Sequence, residues 1–406
     1  MSSTPSAPAC AATHAGPRWF ILPCIVLAQL AGTSLWFGTN ATMPQLQREL
    51  LLSASQVATL LSAVNMGFIL GTLCYALLMI ADRFSPRWVF LVSALLAATV
   101  NIAPVLAPAY PSLLLSRLAV GFLLAGIYPV GMKIAASWYR GGLGAALGFL
   151  VGALVVGTAL PHALVGLGAR LPWQSTMLAL SALAMGGGIL LATFVADGPW
   201  LGRSGPIRFG ALAVVWRDDK VRASAFGYFG HMFELYAVLA AVPMIIASYL
   251  HSSVTPAVSL ASAVVIGAGG LGCAGGGLLV RRLGSARVAS LQLAISGLCC
   301  LLTPIMMLAP WWLFAPWLVI WGLTVSGDSP QFSTLTALNS PPDVVGSVLT
   351  LVNSIGFLIS VVTILATAWA MARYGIGPVL PWLALGPLFG LWAMRNLIRP
   401  PALPPP

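Results

Sequence analysis

Three acidic or imidazole side chains lie inside long apolar stretches of the chain: His231, Glu234 and Asp328. Charged groups in such surroundings cost on the order of several kcal/mol and mark functional sites or ion pairs. His231 and Glu234 are three residues apart, which places both on one face of a helix. Desolvation favours the neutral form of a carboxyl group, and a nearby imidazole can accept or pass its proton. The pair therefore predicts proton transfer; the alternative is a local hydrogen-bonded pair that pins its helix to a neighbour.

Asp328 and Arg117 offer further chemistry. Asp328, with Gln331 one helical turn later, could bind a cation, relay a proton, or pair with Lys133 or Arg117. Arg117 carries a fixed fork of donors that suits a carboxylate or another oxyanion, and a structural role is its alternative. Lys133 lies near one end of its apolar stretch, so we expect its side chain to extend to the membrane interface.

Metal and covalent chemistry are not predicted. The His231–Glu234 motif offers two metal ligands and has no second copy, so no metal or other cofactor is expected. No nucleophile–base arrangement and no phosphate-binding loop is present, which argues against an enzyme and against ATP-driven transport within this chain. The six cysteines form no C-x-x-C pair and are expected as small side chains in helices.

The composition predicts a membrane protein. Of 406 residues, 59% are hydrophobic and only 7% are charged, whereas a soluble domain carries about 25% charged residues. The formal net charge of +11 would suit nucleic acid, but the basic residues are scattered between apolar blocks. We therefore expect a lipid bilayer around the chain and no nucleic-acid partner.

Apolar blocks of about 20 residues predict twelve transmembrane helices and an all-α polytopic membrane protein. The predicted helices cover 19–42, 55–80, 87–107, 112–138, 142–166, 174–196, 223–250, 255–280, 286–308, 311–338, 344–372 and 376–397. The longest polar break, 197–222, separates two six-helix bundles at 19–196 and 223–397. The remaining segments, 1–18 and 398–406, are predicted to be cytosolic tails, the second rich in proline.

The basic residues also predict the orientation. With both termini in the cytoplasm, fourteen arginines and lysines fall on the inner side, and only Arg48, Arg170 and Arg373 fall outside. We expect a multi-pass protein of the cell membrane, the bacterial inner membrane in particular, that acts as a monomer.

The two bundles share a glycine–proline pattern. Gly121, Gly126 and Pro129 of the fourth helix recur 201 residues later as Gly322, Gly327 and Pro330 of the tenth. Such a repeat predicts two pseudo-symmetric halves related by an axis along the membrane normal.

Several motifs resemble those of the major facilitator superfamily, over roughly residues 19–397. The loop 81–87 (ADRFSPR) is similar to the family's signature between helices 2 and 3. Arg117 with its following glycines is similar to the helix 4 signature, and the glycine-rich run 144–161 resembles the helix 5 signature. The segments 230–236 and 327–333 resemble bacterial members loosely labelled nitrate- or cyanate-type permeases.

The resemblance implies that helices 1, 4, 7 and 10 line a central cavity. On this basis the candidate substrate-binding residues are Arg117, Trp36, Asn40, Gln29 and Gln331, and the candidate proton-coupling residues are Glu234, His231 and Asp328. Asp82 is expected to act as a gate, because a carboxylate can rest on the positive N-terminus of a helix. The resemblance implies the start of helix 11, near 344–346, as its partner. The other candidate gating residues are Arg83, Arg87, Arg281 and Arg282.

Two functions remain open from the sequence. The first is proton-coupled import (symport) of a small anionic solute by alternating access, with Arg117 facing a cavity that also holds His231, Glu234 and Asp328. The second is proton-driven efflux of amphipathic or cationic compounds, with Glu234 and Asp328 as the attracting charges. A sensor or scaffold that transports nothing is disfavoured, because it would not need buried titratable groups.

Overall fold

The computed structural model describes residues 19–139, 143–168, 171–202 and 207–398, and within these ranges every regular element is a helix. The predicted all-α fold is therefore confirmed. The predicted tails at 1–18 and 398–406, apart from Ile398, lie outside the described residues, as do Arg170 and the positions 203–206 of the central loop.

Most of the helices form twelve segments, which we number as spans 1 to 12; the short helices Ile80–Arg83, Phe209–Ala211 and Leu212–Arg217 lie between spans. In the N-terminal half, span 1 is Ile21–Thr33 with Gly38–Glu49, span 2 is Ala54–Leu77, span 3 is Pro86–Leu106, span 4 is Tyr110–Leu124 with Tyr128–Trp138, span 5 is Leu143–Leu167, and span 6 is Trp173–Phe194. In the C-terminal half, span 7 is Asp219–Tyr249, span 8 is Pro256–Leu283, span 9 is Ser285–Met306, span 10 is Trp311–Gly327 with Ser329–Asn339, span 11 is Val345–Tyr374, and span 12 is Ile376–Ile398.

Among the described residues, eleven of these spans are long and apolar enough to cross a membrane. The exception is span 10, which Asp328 divides into pieces of 17 and 11 residues, each shorter than the roughly 20 residues of a continuous crossing. The two pieces follow each other directly and together cover the length predicted for one helix. The predicted count of twelve is thus supported.

The interruptions of spans 4 and 10 arise from their prolines. Proline lacks a backbone N–H and disfavours a helical conformation in the residue before it. Pro129 and Pro330 each lie in the first turn of the second piece of their span. Because both prolines belong to the repeated glycine–proline pattern, the two halves are interrupted at equivalent positions.

The same repeat appears in the packing of the helices. A β-carbon on Gly121 of span 4 would collide with the backbone carbonyl of Val64 in span 2. A β-carbon on Gly322 of span 10 would collide in the same way with Val265 in span 8. The glycines therefore allow two equivalent close helix crossings, and the pseudo-symmetry expected from the sequence is present in the contacts.

The halves meet along two pairs of spans. Spans 5 and 8 approach closely at Gly152 and Gly270, and spans 2 and 11 are joined by a hydrogen bond from Asn65 to Ser360. Large apolar side chains such as Leu271 and Val362 remain exposed on the outer surface, which is the surface that a bilayer would cover.

Candidate functional site

A central pocket lies between the two halves. It is lined by residues of spans 4 and 5 on one side and of spans 7, 10 and 11 on the other: Tyr128, Val151, Leu154, Val155, Thr158, Tyr228, Met232, Leu235, Tyr236, Leu239, Ser326, Ser329, Ser333, Asn353 and Phe357. None of these lining residues is charged. The wall from span 5 is mostly aliphatic, whereas spans 10 and 11 contribute three serines and an asparagine.

An aromatic cluster from both halves forms part of the pocket boundary. Trp36 of span 1 stacks on Tyr236 and on Phe357, with ring centroids 5.8 Å apart in both pairs. Phe68 of span 2 lies 4.6 Å from the ring of Phe357. These four rings are nearly fully buried, so the cluster closes the space between the halves at this level.

Trp36 is also the first member of a hydrogen-bond chain between the halves. Its Nε1 donates to Asn65 Oδ1 at 3.0 Å, and Asn65 Nδ2 donates to Ser360 Oγ at 3.1 Å. Trp36 was predicted to be a binding residue, but Asn65 and Ser360 were missed. The signal for Asn65 was its amide in the middle of the otherwise apolar span 2.

His231 and Asp328 form a fully buried pair between spans 7 and 10. His231 Nδ1 lies 2.9 Å from Asp328 Oδ1, and both side chains are inaccessible to solvent. Asp328 directly precedes the second piece of span 10, where the helix dipole favours a negative charge. The alternatives in which Asp328 pairs with Lys133 or Arg117 were wrong, because the imidazole from the adjacent span 7 occupies that position.

Glu234 contacts span 9. Its Oε2 accepts a hydrogen bond from Ser296 Oγ at 2.9 Å and lies 3.3 Å from the Sγ donor of Cys300. Its Oε1 has no hydrogen-bond partner among the described residues. Ser296 and Cys300 were missed, because a serine and a cysteine four residues apart in an apolar helix carry no recognisable pattern.

The expectation that Glu234 faces the central cavity was wrong. Span 7 presents Tyr228, Met232 and Leu235 to the pocket. Since successive helical residues turn by about 100°, Glu234 points away from the middle of this face, and His231 lies at its edge. The buried acidic cluster, defined here as His231, Asp328 and Glu234, therefore lies one layer behind the pocket wall.

Arg117 is held inside the N-terminal half. Its Nη2 donates to the carbonyls of Leu35 at 2.6 Å and Trp36 at 2.9 Å, and its Nη1 donates to Asn101 Oδ1 at 3.1 Å. Leu35 and Trp36 lie in the interruption of span 1, where carbonyls lack helical partners. The expectation that Arg117 faces the cavity was wrong, because Nη2 is held by this interruption and Nη1 by Asn101; its Nε is buried and has no hydrogen-bond partner among the described residues.

The other candidate binding residues do not line the pocket either. Gln29 is fully buried in span 1, and its amide has no hydrogen-bond partner among the described residues. Gln331 is buried in the second piece of span 10, and Asn40 is partly exposed in span 1. Their roles in binding stay predictions.

The gate candidate Asp82 pairs with Lys133. Lys133 Nζ lies 2.6 Å from Asp82 Oδ1 and donates to the carbonyl of Ala81 at 2.9 Å. The structure thus gives Asp82 a partner in the C-terminal piece of span 4 in place of the implied start of span 11. The expectation that Lys133 extends freely to the interface is corrected by the same contact.

The arginines near this end of the molecule are mostly on the surface. Arg83, Arg281 and Arg282 are exposed, and the partly exposed Arg87 has its guanidinium 5.1 Å from the ring centroid of Trp88. Within the described part of the chain, no group of three His, Cys, Asp or Glu side chains could hold a metal ion.

Comparisons with known proteins agree with this architecture. The sequence matches the family model of the Major Facilitator Superfamily over residues 25–218. The structure is similar to that of the human organic anion transporter MFSD10 (TETRAN), with a TM-score of 0.74 and 15% sequence identity, covering 92% of this chain and 98% of that chain. No curated protein sequence matches significantly. The narrower resemblance to nitrate- or cyanate-type permeases is not confirmed by these matches.

Proposed function

Because residues 25–218 match the Major Facilitator Superfamily model and the fold is similar to that of a transporter, we propose that the chain is a member of this superfamily and a secondary active transporter whose alternating access is coupled to protons. The observation that carries the proposal is the buried acidic cluster. Two carboxyl groups and an imidazole, all inaccessible to solvent, lie behind the wall of the central pocket.

The surroundings of the cluster favour proton exchange over fixed ionisation. His231 compensates Asp328, but no lysine or arginine contacts Glu234 among the contacts of the described residues. An ionised carboxylate without a counter-charge is costly to bury. Glu234 is therefore expected to hold a proton while its side chain is shielded from water, as it is in this structure. It is expected to release the proton in a conformation in which water reaches the side chain.

The cluster is connected to the pocket through span 10. Asp328 lies between Ser326 and Ser329, and both serines line the pocket. On span 7, Tyr228 and Met232 line the pocket on either side of His231 in sequence. The pair of His231 and Asp328 thus belongs to the same stretches of spans 7 and 10 that form the pocket wall. A change of charge in the pair can therefore move this wall, which supports coupling between proton and solute.

Import of a small anion through Arg117 is the less supported form of this function. Both terminal nitrogens of Arg117 are hydrogen-bonded inside the N-terminal half, to Leu35, Trp36 and Asn101. The similar human protein is named an organic anion transporter, but a likeness at 15% identity shows the fold alone. Proton symport and proton-driven efflux would both use the same cluster. The proposed setting is the bacterial inner membrane, with both termini cytoplasmic and the chain acting as a monomer.

Infrared difference spectroscopy tests the proposal without a solute. Purified protein is compared between acidic and alkaline pH, and the carbonyl stretch of protonated carboxyl groups is recorded. We expect a band from a buried carboxyl group that Glu234→Gln removes and that the surface control Asp343→Asn retains, since Asp343 is 69% exposed. A spectrum that neither Glu234→Gln nor Asp328→Asn alters would rule the cluster out as the proton site.

A further inference from the structure

We propose that the central pocket binds an uncharged amphipathic solute with a planar apolar body and one hydrogen-bonding edge. This inference rests on the proposed transport function and names the class of solute for the same pocket. It follows from the unequal walls of the pocket, from the unpartnered polar side chains on one of them, and from the charges around it.

The polar wall comes from spans 10 and 11. Ser329, Ser333 and Asn353 line the pocket, and their side chains are hydroxyl and amide groups. All three residues are partly buried, and none of these side chains has a hydrogen-bond partner among the described residues. Ser326 also borders the pocket, but its Oγ packs against Gly269 of span 8. A polar group shielded from water without a partner is destabilising, so a solute that supplies a donor or an acceptor to this wall would satisfy it.

The opposite wall suits a flat apolar group. Val151, Leu154 and Val155 of span 5 form an aliphatic surface, and the rings of Tyr236 and Phe357 stand beside it. Aromatic rings favour stacked or edge-to-face contact with another ring. A planar body lying against this wall would direct its polar edge toward the serines of span 10.

The charges exclude an ionic solute. Burying an ion is costly unless an opposite charge accompanies it, and no charged side chain lines the pocket in the described residues. An anion would also approach Asp328 and Glu234 behind the wall. A cation would find the carboxylate of Asp328 paired with His231 and that of Glu234 turned to span 9.

Three indole compounds that share one ring test the inference on the purified full-length protein. Indole-3-ethanol is uncharged, tryptamine is a cation and indole-3-acetate is an anion at neutral pH. The readout is the shift of the thermal unfolding midpoint with concentration, which gives the apparent affinity. We expect indole-3-ethanol to bind at least about tenfold more tightly than either ion, a factor that corresponds to about 1.4 kcal/mol.

Matched serine variants locate the binding. Ser329→Ala is expected to weaken indole-3-ethanol binding about three- to tenfold, because one hydrogen bond is lost. Ser290→Ala is the control, since Ser290 is a buried serine with an unpartnered Oγ that does not line the pocket. Ser333→Asp adds a carboxylate to the polar wall and should shift the preference toward tryptamine.

Tighter binding of either ion by the unaltered protein would overturn the inference, as would the absence of stabilisation by indole-3-ethanol up to its solubility limit. Equal effects of Ser329→Ala and Ser290→Ala would overturn the location. These failures are separable from failure of the proposed function. If the infrared band depends on Glu234 while the neutral indole does not bind, only the solute class is wrong; in the opposite case only the proton coupling is wrong.

Discussion

At the scale of single residues, the two neighbours on span 7 have different partners. His231 contacts Asp328 of span 10, whereas Glu234 contacts Ser296 and Cys300 of span 9. The first can shift charge within a pair next to the pocket, and the second can take up a proton as an acid that no lysine or arginine contacts among the described residues. We therefore propose that Glu234 carries the coupled proton and that His231 and Asp328 connect it to the pocket.

Glu234→Gln resembles the protonated form of the side chain and can still accept the hydrogen bond from Ser296. We therefore expect the variant, in reconstituted vesicles, to keep solute exchange between the two sides and to lose accumulation driven by a pH gradient. Asp343→Asn serves as the control, because this carboxylate is on the surface. If Glu234→Gln concentrates solute to the level of the unaltered protein, the proton path runs elsewhere, with Asp328 as the next candidate.

The sequence identified these residues but not their partners. A charged side chain in an apolar stretch is visible in a sequence, and the three-residue spacing correctly places His231 and Glu234 near one another on a helix. Which neighbouring span each side chain meets depends on the rotation of the helix within the bundle. The rotation of each helix about its own axis could not be predicted from the sequence. For this reason the predictions that Arg117 and Glu234 face the cavity were wrong.

At the scale of helices and loops, the pair of Asp82 and Lys133 joins the short helix Ile80–Arg83 to the C-terminal piece of span 4. Their side chains are 12% and 20% exposed, so solvent screens the pair only partly. A contact between the ends of two helices can hold one conformation without touching the solute.

We expect Asp82→Asn to lower the transport rate several-fold with little effect on solute affinity, as measured by initial uptake rates and by binding. The exchanged pair Asp82→Lys with Lys133→Asp should recover part of the rate. Asp219→Asn is the control, since its ion pair with Arg222 is on the surface. Loss of binding with an unchanged rate of conformational change would contradict the gate assignment.

The close crossing of spans 8 and 10 makes a second prediction at this scale. Gly322→Ala introduces a β-carbon against the backbone of Val265, which cannot move away without displacing the helix. We expect the free energy of unfolding to fall by about 1–3 kcal/mol. The loss would be measured as a lower thermal unfolding midpoint in detergent. Gly275→Ala in span 8 should be tolerated, because its β-carbon would meet nothing within 4 Å. Equal midpoints for the two variants would mean that the crossing is not tight.

The helices themselves could be predicted well. Apolar length predicted the spans, and the repeated prolines explain the interruptions of spans 4 and 10. The interruption of span 1 at residues 34–37 was not anticipated, because no proline lies there. Its carbonyls are satisfied in part by Arg117, which is 81 residues away from Trp36 in sequence.

At the scale of the whole molecule, the basic residues predict that both termini face the cytoplasm. Labelling with a membrane-impermeant maleimide tests this orientation. The background protein has Cys10, Cys24 and Cys74 replaced by alanine, and a single cysteine is then introduced at Arg281 or at Ser253, both of which are exposed. In right-side-out vesicles we expect labelling at position 253 and protection at position 281. The reverse pattern would invert the topology.

The contact between the halves is the part of the molecule that the sequence predicted least. Asn65 and Ser360 are 295 residues apart, and Trp36 joins them through the aromatic cluster. The amide of Asn65 signals only a buried polar group, and Ser360 carries no signal in span 11, so only the packing of spans 2 and 11 brings the three together.

Distances between the two halves as a function of pH test the central claim most directly. Spin labels at Leu51 and Ser253, exposed at the same end of the two halves, report their separation by double electron–electron resonance in lipid nanodiscs. In the labelled protein with an unaltered cluster, we predict that the distribution of distances between the two labels shifts between acidic and alkaline pH. Glu234→Gln combined with Asp328→Asn is predicted to remove this shift. A double variant that responds to pH as the unaltered protein does would contradict proton-coupled alternating access through this cluster.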